Sequence, residues 1–438
     1  MPLQQRPAQT SRITLEDRLR EDRAAERLAL DARATEAARV PGFDEHGTES
    51  PNEALRVDLP FDDRRLDDRR FMRTAGVADN MVTLLPGPLP RVLPTGSWLP
   101  ELEQAAWALG QLKSKADTLP SALRLHQLHA RRDAIAASQL VGTSATLAML
   151  LAREADQSPS PSRDLRQAEN HVAYYFSLLQ SRDTQGRSLE PTIETLCGMH
   201  RRLNERITAH AGMLRSKPIT LGGYRLGPWR VVPPPPQEIA GALQDLESFL
   251  TGAKSLPMLV RAALACAQVE AIAPFDDGND FITFLLPSVI SLHAGYPPLF
   301  LSDIFLANRV RFRECLSSAL LGGDWDAWLT FFLQAVVESC AAAERRIGHL
   351  TQTAAAWHAR LAQVRSDSQA HRLAELVLDQ PVVTVGQAQR MLGVSFQTAN
   401  TAVQTLVRHE ILAQYQRHDR NRIFLAPRIV AMFEAAEA

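Results

Sequence analysis

The chain has 438 residues, more than one ordinary core needs and in the range of two or three domains. A hydrophobic fraction of 45% excludes a chain disordered throughout, and 48 Lys and Arg against 49 Asp and Glu exclude nucleic-acid binding driven by overall charge, so any DNA contact must be local. The four cysteines lack CxxC spacing, which argues against a zinc site or disulfide framework and for buried thiols. Residues 1–30 have no signal-peptide core and no uninterrupted apolar run reaches the ~18 residues of a membrane span, so a cytosolic protein without a membrane partner is expected.

From Ser11 to Arg39 the chain is dense in charge, with Thr14 as a candidate cap and a thin apolar stripe through Leu15, Leu19, Leu28 and Leu30, the pattern of a solvated helix. Residues 41–100 carry Asp62-Asp63-Arg64-Arg65 and the series Pro86, Pro88, Pro90, Pro94, Pro100, the composition of an extended connector. Residues 1–95 are accordingly read as an accessory arm. From 96 to 367 the helical period dominates: Ile239, Leu243, Leu246 and Leu250 share one face of Gln237–Leu250, and Leu259, Ala263, Cys266, Val269 and Ile272 share one of Leu256–Ile272. One β hairpin is expected at Thr220–Val232, where glycines punctuate short apolar pieces before Pro233–Pro236.

Residues 368–438 change character. Helices are predicted at His371–Leu378, Val385–Leu392 and Ser395–His409, followed by a hairpin at Ile411–Leu425, which together make a winged helix-turn-helix with Gly393 in the turn. The fold class predicted for the whole chain is mainly α, with a small β flap and this C-terminal domain.

The segment Ile272-Ala273-Pro274-Phe275-Asp276-Asp277-Gly278-Asn279-Asp280-Phe281-Ile282-Thr283-Phe284 resembles the signature loop of Fic (Fido) proteins, H-P-F-x-[DE]-G-N-G-R-x-x-R. The resemblance extends to Val232–Pro236, to Gly322–Trp328, to Ala137–Thr143, which is similar to the family's inhibitory-helix motif, and to the C-terminal winged helix. It implies a helical Fic core and protein adenylylation with Mg²⁺ and ATP. In that chemistry the loop histidine takes a proton from a protein hydroxyl. Here Ala273 stands at its position. Asp277 matches the metal-holding acid, and Gly278 and Asn279 match part of the anion nest, so these three are the candidates for residual nucleotide binding, with Asp277 as the only metal ligand.

Beyond Asn279 the pattern departs from the family. Asp280 stands at the second nest glycine and places like charge where phosphate would lie. Phe281 and Phe284 replace both motif arginines, and Val141 replaces the inhibitory glutamate, so both ends of the family's salt bridge are apolar. Val141 and Phe284 are therefore expected to pack together. His200, His210 and His293 are the histidines that could stand in as base, though a surface or satisfied histidine is the commoner reading of each. No cofactor is expected unless nucleotide binding survives at Asp277, Gly278 and Asn279.

In the third helix of the winged domain, Gln397, Thr398, Asn400, Thr401 and Gln404 form the exposed set able to read base edges, and Arg417, Arg420 and Arg422 in the wing could meet phosphates. Seven arginines against six acidic residues from 372 to 438 make a weak electrostatic footprint, and such modules also serve as dimerisation or interaction surfaces. Two functions follow. One is a catalytically defective Fic-like protein acting by binding, through DNA, a protein partner at the Fic-like groove, or a second copy. The other is an enzyme that transfers AMP or another phosphate-containing group by altered loop chemistry.

Overall fold

A computed structural model describes residues 71–72, 81–94, 96–118, 122–155, 160–181, 189–220, 225–226, 229–252, 255–416 and 422–434. The helix expected at Ser11–Arg39 lies outside them.

The protein is mainly helical. Helices α1 (Leu99–Thr118), α2 (Ala122–Leu140), α3 (Leu147–Ala155), α4 (Arg163–Gln180), α5 (Ile193–Leu203) and α6 (Pro236–Gly252) surround a centre made of α7 (Met258–Ile272) and α8 (Asn279–His293). Ser162 and Thr192 cap α4 and α5 by accepting from backbone N–H groups, and Pro236 opens α6 at the position where a missing N–H costs nothing. The two central helices are almost wholly buried and mostly apolar, and alanines at 262, 263, 265 and 267 let neighbours approach closely. Pro287 inside α8 removes the N–H that would bond the Thr283 carbonyl; the Cys266 thiol donates to that carbonyl at 3.4 Å instead. Cys266 and Cys340 are buried and Cys197 and Cys315 half-buried, and burial raises the pKa of all four thiols.

Helices α9 (Ser302–Ala307) and α10 (Arg309–Ser317) and a π turn at Ser318–Gly322 lead to α11 (Trp325–Leu361), a 37-residue helix capped by Asp324. At 1.5 Å per residue it runs ~55 Å. It lies along α1, and Trp328 donates its indole N–H to the Ala263 carbonyl at 2.8 Å, fixing it to the centre.

The expected hairpin is present as β3 (Arg225–Leu226) and β4 (Trp229–Val232), but it is half of a wider sheet. Strands β1 (Phe71–Met72) and β2 (Met81–Leu84) join it in the order β1-β2-β4-β3, with β2 parallel to β4 and Val82 opposite Val231. Val82, Thr83, Leu84 and Leu89 are buried, so this part of the predicted arm packs into the core. The reason is local: the proline series begins at Pro86, and the four residues of β2 end before it and keep the N–H groups that a ladder needs.

After α11 come α12 (Gln369–Val377), β5 (Val382–Thr384), α13 (Val385–Leu392), α14 (Phe396–Arg408), β6 (Ala413–Gln416), β7 (Ile423–Leu425) and α15 (Pro427–Glu434). Gly393 ends α13 at φ 68°, a left-handed conformation that glycine adopts cheaply, and the Ser395 hydroxyl accepts from Thr398 N–H to start α14. The strands form an antiparallel sheet ordered β5-β7-β6, one strand more than the predicted hairpin. Helix α15 returns to the helical core, where the Glu434 carboxylate accepts from Ala148 N–H at 3.2 Å.

Candidate functional site

The loop between α7 and α8 is built from the end of α7. Ala273 caps that helix at φ 41°, ψ 66°, a left-handed conformation that costs a side-chain-bearing residue ~1 kcal/mol, with its N–H on the Val269 carbonyl at 2.8 Å. Arg215, buried beneath the loop, holds this geometry. Its Nε donates to the Ala273 carbonyl at 2.8 Å, Nη2 to the carbonyls of Ile272 at 3.3 Å and Pro234, and Nη1 to that of Lys217 at 3.2 Å. Its own backbone N–H reaches the Pro274 carbonyl at 2.9 Å. Burial lowers the guanidinium to about 10, still charged at neutral pH, and a cation suits the partial negative charge of a helix C-terminus.

His200 forms the second support. Its ring stacks on Phe275 with centroids 3.9 Å apart. Gly212 N–H donates to Nδ1 at 2.8 Å, so the proton must sit on Nε2, which donates to the Asp277 carbonyl at 2.9 Å. Burial lowers the pKa of this neutral ring. Both nitrogens are thereby used, and the lone pair a base would need already faces a donor. Asn279 closes the loop on itself: its Oδ1 accepts from Phe275 N–H at 2.9 Å and its Nδ2 donates to the Phe275 carbonyl at 2.8 Å. Gly278 enters α8 at φ 78°, and a Cβ there would come within 3.0 Å of Asn204 Nδ2.

The acids of the loop face arginines from neighbouring helices. Asp277 accepts from Gly278 N–H at 2.8 Å through Oδ1, and its Oδ2 pairs with Arg163 Nη2 of α4 at 2.7 Å. Both side chains are exposed, so this pair contributes no more than ~1 kcal/mol. Asp280 is half-buried in the first turn of α8, where a carboxylate complements the helix dipole. Burial raises its pKa, the charge of Arg313 on α10 opposes that, and Asp277 adds to it. No group of three or more His, Cys, Asp or Glu among the described residues is placed to hold a metal.

Phe281 and Phe284 are buried parts of the centre. Phe284 lies 6.4 Å from Phe305 and 6.2 Å from Phe312, ring to ring. Val141, in the turn after α2, keeps 37% of its surface exposed. The aromatic cover of Phe284 comes from α9 and α10. His210 is exposed, and His293 ends the 15-residue α8, ~20 Å along the helix from the loop.

Phe281 meets His171 of α4 edge-on, with centroids 6.1 Å apart, and His171 stacks on Tyr175. Neither ring nitrogen of His171 has a hydrogen-bond partner, and burial takes its pKa down to about 3. The unfolded chain binds a proton here from about pH 6.5 downward while the folded chain does not until about pH 3, so stability contributed by the neutral ring is lost as pH falls, by ~1.4 kcal/mol per unit. His171→Phe should flatten this acid limb by about 2–3 kcal/mol at pH ~4.5, measured by urea unfolding across pH.

On α14, Gln397, Thr398 and Thr401 are exposed and Asn400 and Gln404 half-buried, all on the face turned from Ala399, Ala402, Val403 and Leu406. Arg422 is exposed with its guanidinium 5.9 Å from the Phe424 ring centroid, while Arg417 and Arg420 lie outside the described residues. Phe396, 58% exposed at the start of α14, was not singled out by periodicity because it precedes the apolar face. Arg215, Arg163 and Arg313 carry no local signal either, since each meets the loop only in three dimensions.

Residues 190–290 match the model of the Fic/DOC family, and residues 99–176 that of the Fic/DOC family N-terminal region. The protein adenylyltransferase Fic of Drosophila willistoni is 33% identical over 116 residues, 26% of this chain and 22% of that protein. That of Drosophila erecta is 28% identical over 205 residues, 42% of this chain and 37% of that protein, so the chain covers well under half the length of these relatives. Among solved structures, a Fic family protein from Desulfovibrio desulfuricans G20 aligns with 77% of this chain and 98% of its own at a TM-score of 0.49 and 16% identity. The likeness to the Fic/DOC family models thus lies within residues 99–290.

Proposed function

We propose that this chain is a Fic-fold protein that acts by binding and not by adenylyl transfer, with residues 368–430 forming a winged helix that contacts DNA. The observation that carries the first half is the closure of the signature loop by the protein's own groups. Arg163 and Gly278 N–H take both oxygens of Asp277, Asp280 puts a carboxylate at the α8 N-terminus where a phosphate would bind, and no side chain at 273 accepts a proton. This donor set does not fit a magnesium nucleotide. His200 is excluded as a substitute base by its tautomer and its two hydrogen bonds.

The full chain incubated with labelled ATP and Mg²⁺ should modify neither itself nor proteins of a lysate. Ala273→His should remain at least ~100-fold below a Fic enzyme carrying the full motif, because a base without a phosphate cradle lacks stabilisation of the transition state. Robust labelling by the unmodified chain would favour the enzyme reading, which rests on the names of the adenylyltransferase relatives.

The DNA reading is supported by the order α12, α13, Gly393 turn, α14 and a three-stranded sheet, and by the amide and hydroxyl side chains on the outer face of α14. In a salt-series binding assay with genomic fragments, Gln397→Ala or Asn400→Ala should lower discrimination by about 1–3 kcal/mol while leaving non-specific affinity in place. Arg422→Ala should weaken all sequences alike and flatten the salt dependence. Absence of binding at low salt would leave a protein partner or a second copy as the ligand of this domain.

A further inference from the structure

On α14, Gln397, Asn400, Thr401, Gln404 and Arg408 follow one another at helical spacing, on the side turned from the buried Ala399, Ala402, Val403 and Leu406. Phe396 stands at the head of this stripe, at the first position of the helix, with 58% of its surface exposed. A single exposed ring is ordinary on a protein surface, so its meaning depends on the groups beside it.

The charge around the stripe differs from that of the domain as a whole. The acidic residues between 372 and 438 all fall outside 380–409, where the charged side chains are Arg390 and Arg408, both exposed. The pair α13 and α14, with the Gly393 turn between them, is therefore free of carboxylates and locally basic, a match for a polyanion that the near-neutral total conceals. Glu410, the next acid along the chain, pairs with Arg360 of α11 at 3.9 Å.

The residue types narrow the partner further. Bidentate contacts to guanine come from Arg or Lys and contacts to the cytosine amino group from Asp or Glu, and α14 has none of these before Arg408. It has instead the amides of Gln397, Asn400 and Gln404, which suit the adenine edge, and apolar groups, which suit the thymine methyl. The threonines join the apolar set. Thr401 donates its hydroxyl to the Gln397 carbonyl at 2.9 Å, and Thr398 shares a hydrogen bond with the Ser395 hydroxyl at 2.9 Å, so both hydroxyls are engaged within the protein and the methyl groups remain to be used.

We propose that α14 reads A·T base pairs in the major groove, with Phe396 resting on a thymine methyl and the amides of Gln397 and Asn400 on neighbouring adenines. The proposal rests on the DNA reading given above and names the sequence class that it recognises. The first residues of a recognition helix are those that contact base edges, and Phe396 and Gln397 hold those positions.

The full chain is incubated at low salt with duplexes carrying about 20 random base pairs, enough for two half-sites one turn apart, and the bound molecules are amplified and sequenced. The enriched core should be at least ~80% A·T. A duplex of that sequence with deoxyuridine in place of thymidine lacks only the thymine methyls, and the unmodified chain should bind it at least ~5-fold more weakly. Phe396→Ala should bind the thymidine duplex at that lower level and respond to the exchange by less than ~2-fold, with its thermal midpoint unchanged because the ring it removes is exposed. Enrichment of G·C-rich cores, indifference of the unmodified chain to deoxyuridine, or an undiminished deoxyuridine effect in Phe396→Ala would each overturn the proposal and leave DNA binding standing. Failure to retain any duplex would overturn the DNA reading itself and this proposal with it.

Discussion

Replacing Phe284 with the arginine that the Fic signature carries at this position should destabilise the protein by at least about 4 kcal/mol, enough to abolish cooperative unfolding in many domains. The side chain is buried on α8 beside Phe305 and Phe312, and these belong to a ring cluster that continues through Phe331, Phe332 and Trp328. A guanidinium there would exchange ring contacts for an unpaired charge among apolar side chains. Phe284→Leu, which keeps the position apolar, should cost only about 1 kcal/mol. Chemical denaturation of the two variants checks the difference. Near-neutral behaviour of Phe284→Arg would mean that position 284 still opens onto a polar pocket. Arginine at 284 should therefore damage the fold before it supplies any phosphate contact.

Arg215→Met should lower stability by about 3–5 kcal/mol and free the signature loop, because four carbonyl oxygens lose their shared donor together. Methionine fills most of the volume, which separates lost hydrogen bonds from lost packing. Arg215→Lys keeps the charge but reaches fewer carbonyls, so it should retain part of the stability. Urea unfolding gives the energies, and amide hydrogen exchange at Phe275 and Ala273 reports the loop itself, with faster exchange expected in the methionine variant. Unchanged exchange there would assign the loop's order to His200 and Asn279 alone.

Much of the fold was legible in the sequence because it is written in local periods. The apolar faces of α6 and α7 and the left-handed glycine at 393 sit where the pattern places them. The strand at Met81–Leu84 was missed because four residues beside a proline series carry too little pattern to outweigh it. The loop substitutions were readable for the same reason that the motif is: Ala273, Asp280, Phe281 and Phe284 stand in one contiguous stretch whose chemistry each residue type announces.

By itself, the sequence determined that the chain is mainly helical and that Ala273, Phe281 and Phe284 stand in a loop that resembles the Fic signature. Only the tertiary structure decided what surrounds them. Arg163 is 114 positions from Asp277, Arg215 is 58 from Ala273 and His200 is 77 from the Asp277 carbonyl it holds. Periodicity reports which face of an element is buried, because burial repeats with the helical turn. It says nothing of which distant donor meets which acceptor, because that pairing is set by how the helices pack around α7 and α8.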